Sequence, residues 1–413
     1  MTSVQENETF STTEFEFNDP AQRLVLAIMF IIVSVVGSLG NAIVIAAVIA
    51  SRKLRTITNV FVVNLAVADF LTSITVPWTA VALLSEGDSW PLDPWICTAA
   101  AAIMYLCVGT SLYSLASASI NRFILVTKGY ATYRKTFTTI NLIIWITLIW
   151  VVAFLFAIFL PVIGVGRLGY NRKYRSCSQS SDHPKDGVYQ LVQAVGIFPI
   201  PLTIISFCYG RIFCFVRRHI KVMDGHTSAM DTRKGYHGNP SNTTSDTVRE
   251  PKDRQTERAM PVREASSTVG VTIDQDQDRR PTTRTCKHVK MSKDQRTESR
   301  MSFAGRSKSQ APSMKQRQIQ ITTNMFIVVC VFVVCLAPFT ICLFYNDSDP
   351  FIPYASAIVL CNSCVNPFIY ATKHPVFKSV MKSIVTCHFH EIPQPARLMH
   401  HFTTNRTSII ELE

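Results

Sequence analysis

Polar side chains inside otherwise apolar segments are the first candidates for chemistry. One carboxylate, Asp69, lies in the middle of such a segment. A buried charge in a bilayer is costly, so it is a functional hypothesis by default. A lone acid among hydroxyls and amides suits Na⁺ or a proton, or it forms a static hydrogen-bonded plug that fixes helix packing. The other polar residues at comparable depth are Asn41, Ser111, Asn362, Ser363 and Asn366.

The last apolar segment closes with Asn366-Pro-Phe-Ile-Tyr370. A proline within a helix removes a backbone hydrogen bond and permits a kink, so kinked helices can pivot. This pattern indicates a bundle that moves rather than a passive anchor. Arg122 ends the third segment, where its guanidinium can reach the interface as a functional group or as an ordinary anchor. The other intramembrane prolines are Pro77, Pro161, Pro199, Pro201 and Pro338.

These residues must be positioned by long apolar segments. The chain has 413 residues, 48% of them hydrophobic, and a net charge of +13. Segments of about 20 apolar residues can span a bilayer as helices. We predict an all-α membrane protein, a bundle of seven transmembrane helices followed by a short amphipathic eighth helix over 373–386. The seven spans are predicted to start near Leu24, Ile57, Asp93, Thr138, Gly187, Gln318 and Phe351.

The spans divide the chain into regions. We predict an extracellular tail over 1–23, spans one to five over 24–220 and spans six and seven over 315–372. Residues 221–314 form a basic third cytoplasmic loop that is too polar to bury a core and is predicted to be disordered. This loop lacks interleaved aromatic residues, so inner-leaflet lipid is a better partner for it than nucleic acid. Residues 387–413 form the cytoplasmic tail.

Lysine and arginine clusters predict the orientation. They follow spans one, three, five and seven, which places the amino terminus outside the plasma membrane. One loop opposes this orientation, because it is positively charged and would nevertheless lie outside. Its basic residues are Arg167, Arg172, Lys173 and Arg175.

Three modifications follow from this topology. Most of the 12 cysteines lie within spans, where they pack as small soft residues. Cys97 and Cys177 fall on the oxidising side and are predicted to form a disulfide. Cys387 follows the amphipathic stretch and is a palmitoylation candidate. Asn7 lies in an outer glycosylation sequon.

Together these motifs resemble the rhodopsin-like (class A) G-protein-coupled receptors, and distantly the melatonin receptors and orphan receptors near them. The resemblance covers roughly residues 20–390. It implies a receptor, not an enzyme, that binds an extracellular ligand and activates a heterotrimeric G protein, with Gi/o as our expected type and with arrestin and receptor kinases as further partners. The motifs are Gly40-Asn41, Leu65-Ala-Val-Ala-Asp69, Cys97, Asn121-Arg122-Phe123, Trp150, Cys177, Pro201 with Tyr209, Phe332 with Cys335-Leu-Ala-Pro338, and Asn366-Pro-Phe-Ile-Tyr370.

The resemblance also assigns roles by position. The G-protein cavity would be faced by Asn121, Arg122, Phe123, Tyr209 and Tyr370. A sodium pocket would be formed by Asn41, Asp69, Ser111, Asn362, Ser363 and Asn366, and Na⁺ is the only cofactor expected. The connector that relays movement of helix six would contain Phe332, Leu336, Pro338 and Pro367.

Several residues depart from the family pattern. Asn121 stands where the family usually has an acid, and Gln318 stands where many members have an acid at the foot of helix six. Both acids would restrain Arg122, so we expect appreciable ligand-independent signalling. Phe123 replaces the usual tyrosine, and Leu336 replaces the tryptophan of the helix-six switch, which puts the usual aromatic toggle in doubt.

The ligand is predicted by exclusion. Met104 occupies the position of the aspartate of amine receptors, Leu360 that of the retinal-linking lysine of opsins, and Ile197 that of a histidine of melatonin receptors. We expect a small apolar ligand, or an acidic amphiphile drawn by the basic loop. A transporter or channel that uses Asp69 as an ion site is the alternative, although no internal repeat or pore pattern is visible. The predicted pocket residues are Trp78, Met104, Tyr105, Val108, Gln193, Phe198, Phe339, Thr340 and Tyr345.

Overall fold

A computed structural model describes residues 15–87, 89–235, 314–342, 345 and 347–397. Within these, the side chains of 219–235 and 314–325 are not described. Residues 1–226 with 312–413 form one compact unit and residues 227–311 another. The description below concerns the first unit. The predicted glycosylation site at Asn7 and most of the predicted disordered loop lie outside the described residues.

The described residues are mostly helical. Six helical segments are long and apolar enough to cross a membrane, and the apolar stretch Phe326–Cys342 adds a shorter one. The predicted seven-helix bundle is confirmed. The helices are α1 Pro20–Ala50, α2 Ile57–Leu84, α3 Pro94–Thr127, α4 Tyr130–Thr136, α5 Thr139–Phe154, α6 Leu160–Val162, α7 Asp186–Ile197, α8 Pro199–Gly235, α9 Met314–Cys342, α10 Ile352–Lys373 and α11 Pro375–Val385.

Capping side chains explain where several of the helices begin. The Asp19 carboxylate accepts from the Ala21 backbone N–H at 2.9 Å, which starts α1 four residues before the predicted Leu24. Thr56 and Thr138 cap α2 and α5 by accepting backbone N–H groups with their hydroxyls. Each cap satisfies an N–H that has no partner within the helix.

The fifth span is broken in two. α7 ends at Ile197 and α8 begins at Pro199, and Pro201 follows two residues later. The missing proline N–H groups interrupt the helical ladder at this point. The Tyr113 hydroxyl from α3 donates to the Gly196 carbonyl at 2.7 Å beside the break. α8 then continues to Gly235, beyond the boundary predicted at 220.

A two-stranded sheet lies between α6 and α7. Strands β1 Leu168–Asn171 and β2 Ser176–Gln179 pair antiparallel, with Leu168 opposite Gln179. The sequence analysis did not predict this hairpin. The Cys97–Cys177 disulfide ties β2 to the start of α3, which confirms the predicted bond. We call this end of the bundle the hairpin end, and the opposite end, where Arg122 and α11 lie, the α11 end.

Close packing joins the first and last spans. A Cβ added to Gly40 on α1 would lie 2.9 Å from the Cγ of Pro367 on α10. Because Gly40 has no side chain, α1 and α10 can approach closely at Pro367. Pro367 has no N–H, so it leaves one backbone carbonyl of α10 without its helical partner. Large apolar side chains on the outward faces, such as Ile32, Ile143 and Val334, are exposed, as expected for helices surrounded by lipid.

Candidate functional site

A cavity of about 420 Å³ opens at the hairpin end. Met104, Leu360 and Ile197, the residues that replace the family's ligand-binding groups, all line it. Its lining also includes residues that the sequence analysis missed, above all on the hairpin and at the start of α10. Of the predicted pocket residues, the lining contains Met104, Tyr105, Val108, Gln193, Phe198, Phe339 and Tyr345.

Two residues predicted for the pocket do not line it. Trp78 turns outward and is 36% exposed, and its neighbour Thr79 takes its place in the lining. One helical residue rotates the side-chain direction by about 100°, so a shift of one position moves a residue to another face. The Thr340 hydroxyl donates to the Leu336 carbonyl at 3.1 Å within its own helix.

A polar cluster joins the hairpin to the start of the seventh span. The Tyr174 hydroxyl donates to Asp349 Oδ1 at 2.6 Å, and Lys173 Nζ lies 2.8 Å from Asp349 Oδ2. Burial, followed by the hydrogen bond to Asp349, raises the pKa of Tyr174. Sequence reasoning had no signal for this cluster because its members are about 175 residues apart.

The other basic residues of the hairpin also have structural partners. Arg172 lies 3.0 Å from the Glu16 carboxylate. Arg175 donates to Asn18 Oδ1 at 2.8 Å and to the Gly87 carbonyl at 2.9 Å. The segment before α1 is thereby tied to the hairpin. Three of the four basic residues of this loop, Arg172, Lys173 and Arg175, therefore help to close this end of the bundle.

Gln193 is a polar residue of the cavity lining with an unused buried donor. Its side chain is 6% exposed, and its Nε2 has no hydrogen-bond partner among the described residues. By contrast, Gln179 Nε2 donates to the Asp186 backbone carbonyl at 3.1 Å. A buried amide donor without a partner is costly, unless a ligand supplies an acceptor.

Asp69 gathers three of the residues predicted for the sodium pocket. Ser111 donates to Oδ1 at 2.9 Å, Ser363 donates to Oδ1 at 3.3 Å, and Asn366 Nδ2 donates to Oδ2 at 2.7 Å. The cluster joins α2, α3 and α10, and Asp69 is fully buried. Three donors on one buried carboxylate satisfy much of its hydrogen-bonding capacity.

The two remaining predicted ligands flank this cluster with unused oxygens. Asn41 Nδ2 donates to the Ser363 carbonyl at 2.8 Å, but its Oδ1 has no partner among the described residues. Asn362 Oδ1 is also buried without a partner in that part of the chain. A small cation prefers oxygen ligands of this kind.

Nearby, an amide that the sequence analysis missed links three helices. Asn64 Nδ2 donates to Ser114 Oγ at 2.7 Å, and Trp150 Nε1 donates to Asn64 Oδ1 at 2.9 Å. Its position five residues before Asp69 was a signal that could have been used. Since both amide ends are paired, this group fixes α2, α3 and α5 together.

At the α11 end, Arg122 is buried and its Nε has no hydrogen-bond partner among the described residues. Its neighbour Asn121 accepts from Thr58 Oγ1 at 3.1 Å and donates to the Tyr133 hydroxyl at 3.3 Å. Asn121 therefore braces α3 against α2 and α4. Among the side chains that the structure describes, no carboxylate pairs with Arg122, and the Gln318 side chain lies outside them.

The other residues predicted to couple to a G protein belong to one apolar core. Tyr209 and Tyr370 are buried together with Phe332 and Leu336. Tyr370 stacks on Phe377 of α11 with ring centroids 5.6 Å apart, and its hydroxyl has no partner within the described residues. Phe123 packs on the rim of this core, and Pro338 and Pro367 lie inside α9 and α10.

α11 has the amphipathic character expected of an eighth helix. His374 caps it, since its Nδ1 accepts from the Phe377 backbone N–H at 3.3 Å. Burial, followed by the charge of Arg122, lowers the pKa of His374. Cys387, the palmitoylation candidate, is exposed just beyond the helix, so its modification stays a prediction.

Comparisons with known proteins agree with this geometry. The family model described as 7 transmembrane receptor (rhodopsin family) matches residues 40–370. The crystal structure of squid rhodopsin superposes with a TM-score of 0.62 at 20% identity, covering 91% of this chain and 84% of that chain, which supports the fold.

Among curated relatives, the melatonin receptor type 1B-B of Danio rerio is 34% identical over 200 residues, which are 48% of this chain and 56% of that receptor. The G-protein coupled receptor moody of Drosophila melanogaster is 25% identical over 381 residues, 90% of this chain and 52% of that protein. The chain spans about half the length of the curated relatives that it matches.

A seven-helix bundle with a cavity at the hairpin end and a buried polar centre is the architecture of a multi-pass membrane receptor. Because the family model covers residues 40–370, the chain belongs to the rhodopsin family of seven-transmembrane receptors. It is a receptor and not an enzyme. The comparisons give no support to the transporter and channel alternatives.

Proposed function

We propose that this chain is a plasma-membrane receptor that binds a small neutral ligand with a hydrogen-bond acceptor and activates a heterotrimeric G protein. The observation that carries the ligand class is the buried amide of Gln193, a cavity-lining residue whose Nε2 has no hydrogen-bond partner among the described residues. A carbonyl, ether or amide oxygen of the ligand would accept the unused hydrogen bond of Gln193 Nε2. Most of the remaining lining on α3, α9 and α10 is apolar, which suits an aromatic or aliphatic body.

The charges of the cavity favour a neutral ligand over an acidic one. Its charged lining residues, within the described part of the chain, are Lys173, Asp186 and Asp349. Lys173 already pairs with Asp349, so the balance is one negative charge. An acid entering here would meet repulsion rather than an available cation. Melatonin itself is disfavoured because Ile197 lines the cavity where melatonin receptors have a histidine.

Signal transfer would run through the apolar core. Leu336 and Phe332 of α9 lie between the cavity and Tyr209, and the prolines of α9 and α10 permit a pivot. We propose that movement of these helices gives Arg122 and Tyr370 the partners that they lack in this state. A cytoplasmic G protein, Gi/o as the specific proposal, would supply or stabilise those contacts.

Two further features belong to the same proposal. The oxygens around Asp69 would hold Na⁺ and stabilise the resting state. The amino terminus and the hairpin would lie outside the cell, while the Arg122 end would face the cytoplasm, where arrestin, receptor kinases and inner-leaflet lipid are the other proposed partners. The excess of lysine and arginine after the odd-numbered spans supports this orientation.

The test uses three matched probes: N-acetyl-2-phenylethylamine, 2-phenylethylamine and 3-phenylpropanoate, which are neutral, cationic and anionic. Binding to purified receptor is read by thermal shift, and activation is read by G-protein dissociation in cells. We expect the neutral amide to stabilise the receptor most, and Gln193→Leu to abolish that preference. Gln190→Leu, which changes an exposed glutamine at the same cavity, is the control. A stronger shift with the anion would contradict the proposed ligand class.

A further inference from the structure

The chain beyond α11 returns to the bundle and docks on the loop that follows α1. Residues 392–396, Ile-Pro-Gln-Pro-Ala, form what we call the strap. Ser51 and Pro395 are partners in an antiparallel bridge. The Arg52 backbone N–H donates to the Gln394 carbonyl at 2.9 Å, and the Ala396 N–H donates to the Ala50 carbonyl at 2.8 Å.

A side-chain bond and apolar burial reinforce this pairing. The Ser51 hydroxyl donates to the Pro393 carbonyl at 2.6 Å, and Ser51 is fully buried. Ile392 is 3% exposed and Ala396 is also buried. The two prolines restrict the backbone of the strap before it docks, which lowers the entropy lost on docking. They also lack backbone N–H groups, so the strap cannot pair with a further strand through these positions.

The strap connects to the receptor's moving parts through α11. Ile392 belongs to the same apolar core as Leu54 and as Phe377 and Val380 of α11. Phe377 in turn stacks on Tyr370. Because the Tyr370 hydroxyl has no partner among the described residues, the ring is held mainly by packing. Loosening the packing under α11 therefore weakens what holds Tyr370 in this position.

We propose that the strap is an intramolecular brace that holds α11 and Tyr370 in the resting arrangement and thereby lowers ligand-independent signalling. This regulatory role rests on the proposed coupling to a G protein, whereas the docking itself does not. The hydrogen bonds of the strap go to the loop after α1, away from the cavity lining and from the Asp69 carboxylate. Its release would shift the receptor's population toward the active arrangement.

The first test locks the strap. Residues opposite each other in an antiparallel bridge have Cα atoms about 4.5–5.5 Å apart, within the range that a disulfide can span. In the full-length receptor, Ser51→Cys with Pro395→Cys is oxidised in membranes and mapped by mass spectrometry. The two single variants are the controls, since they reveal any bond to a native cysteine. We expect the engineered bond only in the double variant, and its absence would overturn the docking.

The second test measures the consequence. Basal nucleotide exchange on G protein should fall about threefold when the bond closes and recover on reduction, while Ile392→Asp should raise it about threefold. Hydrogen exchange across 375–385 should slow in the locked variant and quicken in Ile392→Asp. Glu391→Gln, which changes an exposed neighbour, should alter neither measurement.

The outcomes separate the two proposals. Unchanged basal exchange in the locked receptor, with a working response in other variants, would overturn the regulatory role. If neither the wild-type receptor nor any variant activates a G protein, the proposed function is wrong. Hydrogen exchange across 375–385 then decides by itself whether the strap braces α11. Equal exchange rates across 375–385 in locked and released receptors would overturn the brace.

Discussion

The two ends of the bundle differ in how their polar groups are paired, although Gln193 Nε2 at the cavity also lacks a partner among the described residues. At the hairpin end, a disulfide, the Lys173–Asp349 ion pair and the contacts of Arg175 join the segment before α1, the hairpin and α10. At the α11 end, Arg122 Nε and the Tyr370 hydroxyl are buried without partners in the part of the chain that the structure describes. Unpaired buried groups raise the free energy of a state, so the α11 end has more to gain from a rearrangement.

The comparison indicates which end is fixed and which end moves. Closing the hairpin end with covalent and ionic contacts makes the cavity a preformed binding site. Holding Tyr370, Tyr209 and Phe332 by apolar packing allows helices to shift, because apolar contacts can be exchanged without losing directional bonds. The Asp69 cluster lies between them and joins α2, α3 and α10.

The largest effect should come from the disulfide. Cys97→Ser would open a covalent link between residues 80 positions apart, and a disulfide typically contributes about 2–4 kcal/mol to stability. We expect little folded receptor at the cell surface and a much lower melting temperature, whereas Cys214→Ser, at an exposed free cysteine, should behave like wild type. A wild-type melting temperature in Cys97→Ser would mean that the hairpin end is not fixed by this bond.

The next effect concerns the resting state of the α11 end. Asn121→Asp keeps the acceptor for Thr58, replaces the amide that donates to the Tyr133 hydroxyl with an oxygen that can accept from it, and places a negative charge beside Arg122. If the new contact favours the resting state by about 1.4 kcal/mol, basal G-protein activation falls about tenfold. Activation is compared at matched surface expression. Tyr133→Phe is the control, since it tests whether losing the bond between Asn121 and α4 changes basal activation by itself. Equal or higher basal activation in Asn121→Asp would show that the missing acid does not set the resting state.

A smaller effect is expected from the polar centre that links the two ends. Replacing KCl with NaCl at constant ionic strength should raise the receptor's melting temperature, because Na⁺ would bind the oxygens around Asp69 in the resting state. Asp69→Asn should remove this difference. The control is Ser73→Ala, since the Ser73 hydroxyl donates to the backbone carbonyl of Asp69 rather than to its carboxylate. A sodium response that persists in Asp69→Asn would argue against the ion site.

The ion pair over the cavity should contribute less. The side chains of Lys173 and Asp349 are 27% and 26% exposed, so solvent screens their attraction. A double-mutant cycle with Lys173→Met and Asp349→Asn should give a coupling of about 0.5–1 kcal/mol in thermal unfolding. Tyr174→Phe, which removes the other bond to Asp349, provides the matched comparison. A coupling near zero would mean that the hairpin end depends on its disulfide and packing alone.

The smallest effect should be a pH dependence at the α11 end. His374 caps α11 only when its Nδ1 is unprotonated, and burial together with Arg122 lowers its pKa from the ordinary value. The unfolded chain then binds a proton more readily, so stability should be highest above about pH 6.5 and fall as the pH drops below it. His374→Asn keeps a capping acceptor that does not titrate. Its melting temperature should change less between about pH 7.5 and about pH 5.5 than that of the wild-type receptor. These values lie about one unit either side of the ordinary pKa of histidine. An identical pH profile in both proteins would exclude this histidine as the cause.

The sequence by itself determined the parts of this receptor that follow from solvent and periodicity. Long apolar segments predict the spans because lipid offers no hydrogen bonds to an open backbone. The motifs around Asp69, Arg122 and Tyr370 identify the polar centre and the α11 end, and most of the predicted pocket residues line the cavity. The prediction failed at Trp78 and Thr340, where one helical position decides whether a side chain faces the cavity or another surface.

Only the tertiary structure decided which charges and amides find partners. The basic loop looked like an attractant for an acidic ligand, yet Lys173 pairs with Asp349 and Arg175 bonds to Asn18. Asn121 looked like an absent restraint on Arg122, yet it joins Thr58 to Tyr133. These partners lie far apart in the chain or on different faces of neighbouring helices. A hydrogen bond forms or fails on differences of a few tenths of an ångström between donor and acceptor. The packing of the bundle sets those distances, and the pattern of residue types does not contain them.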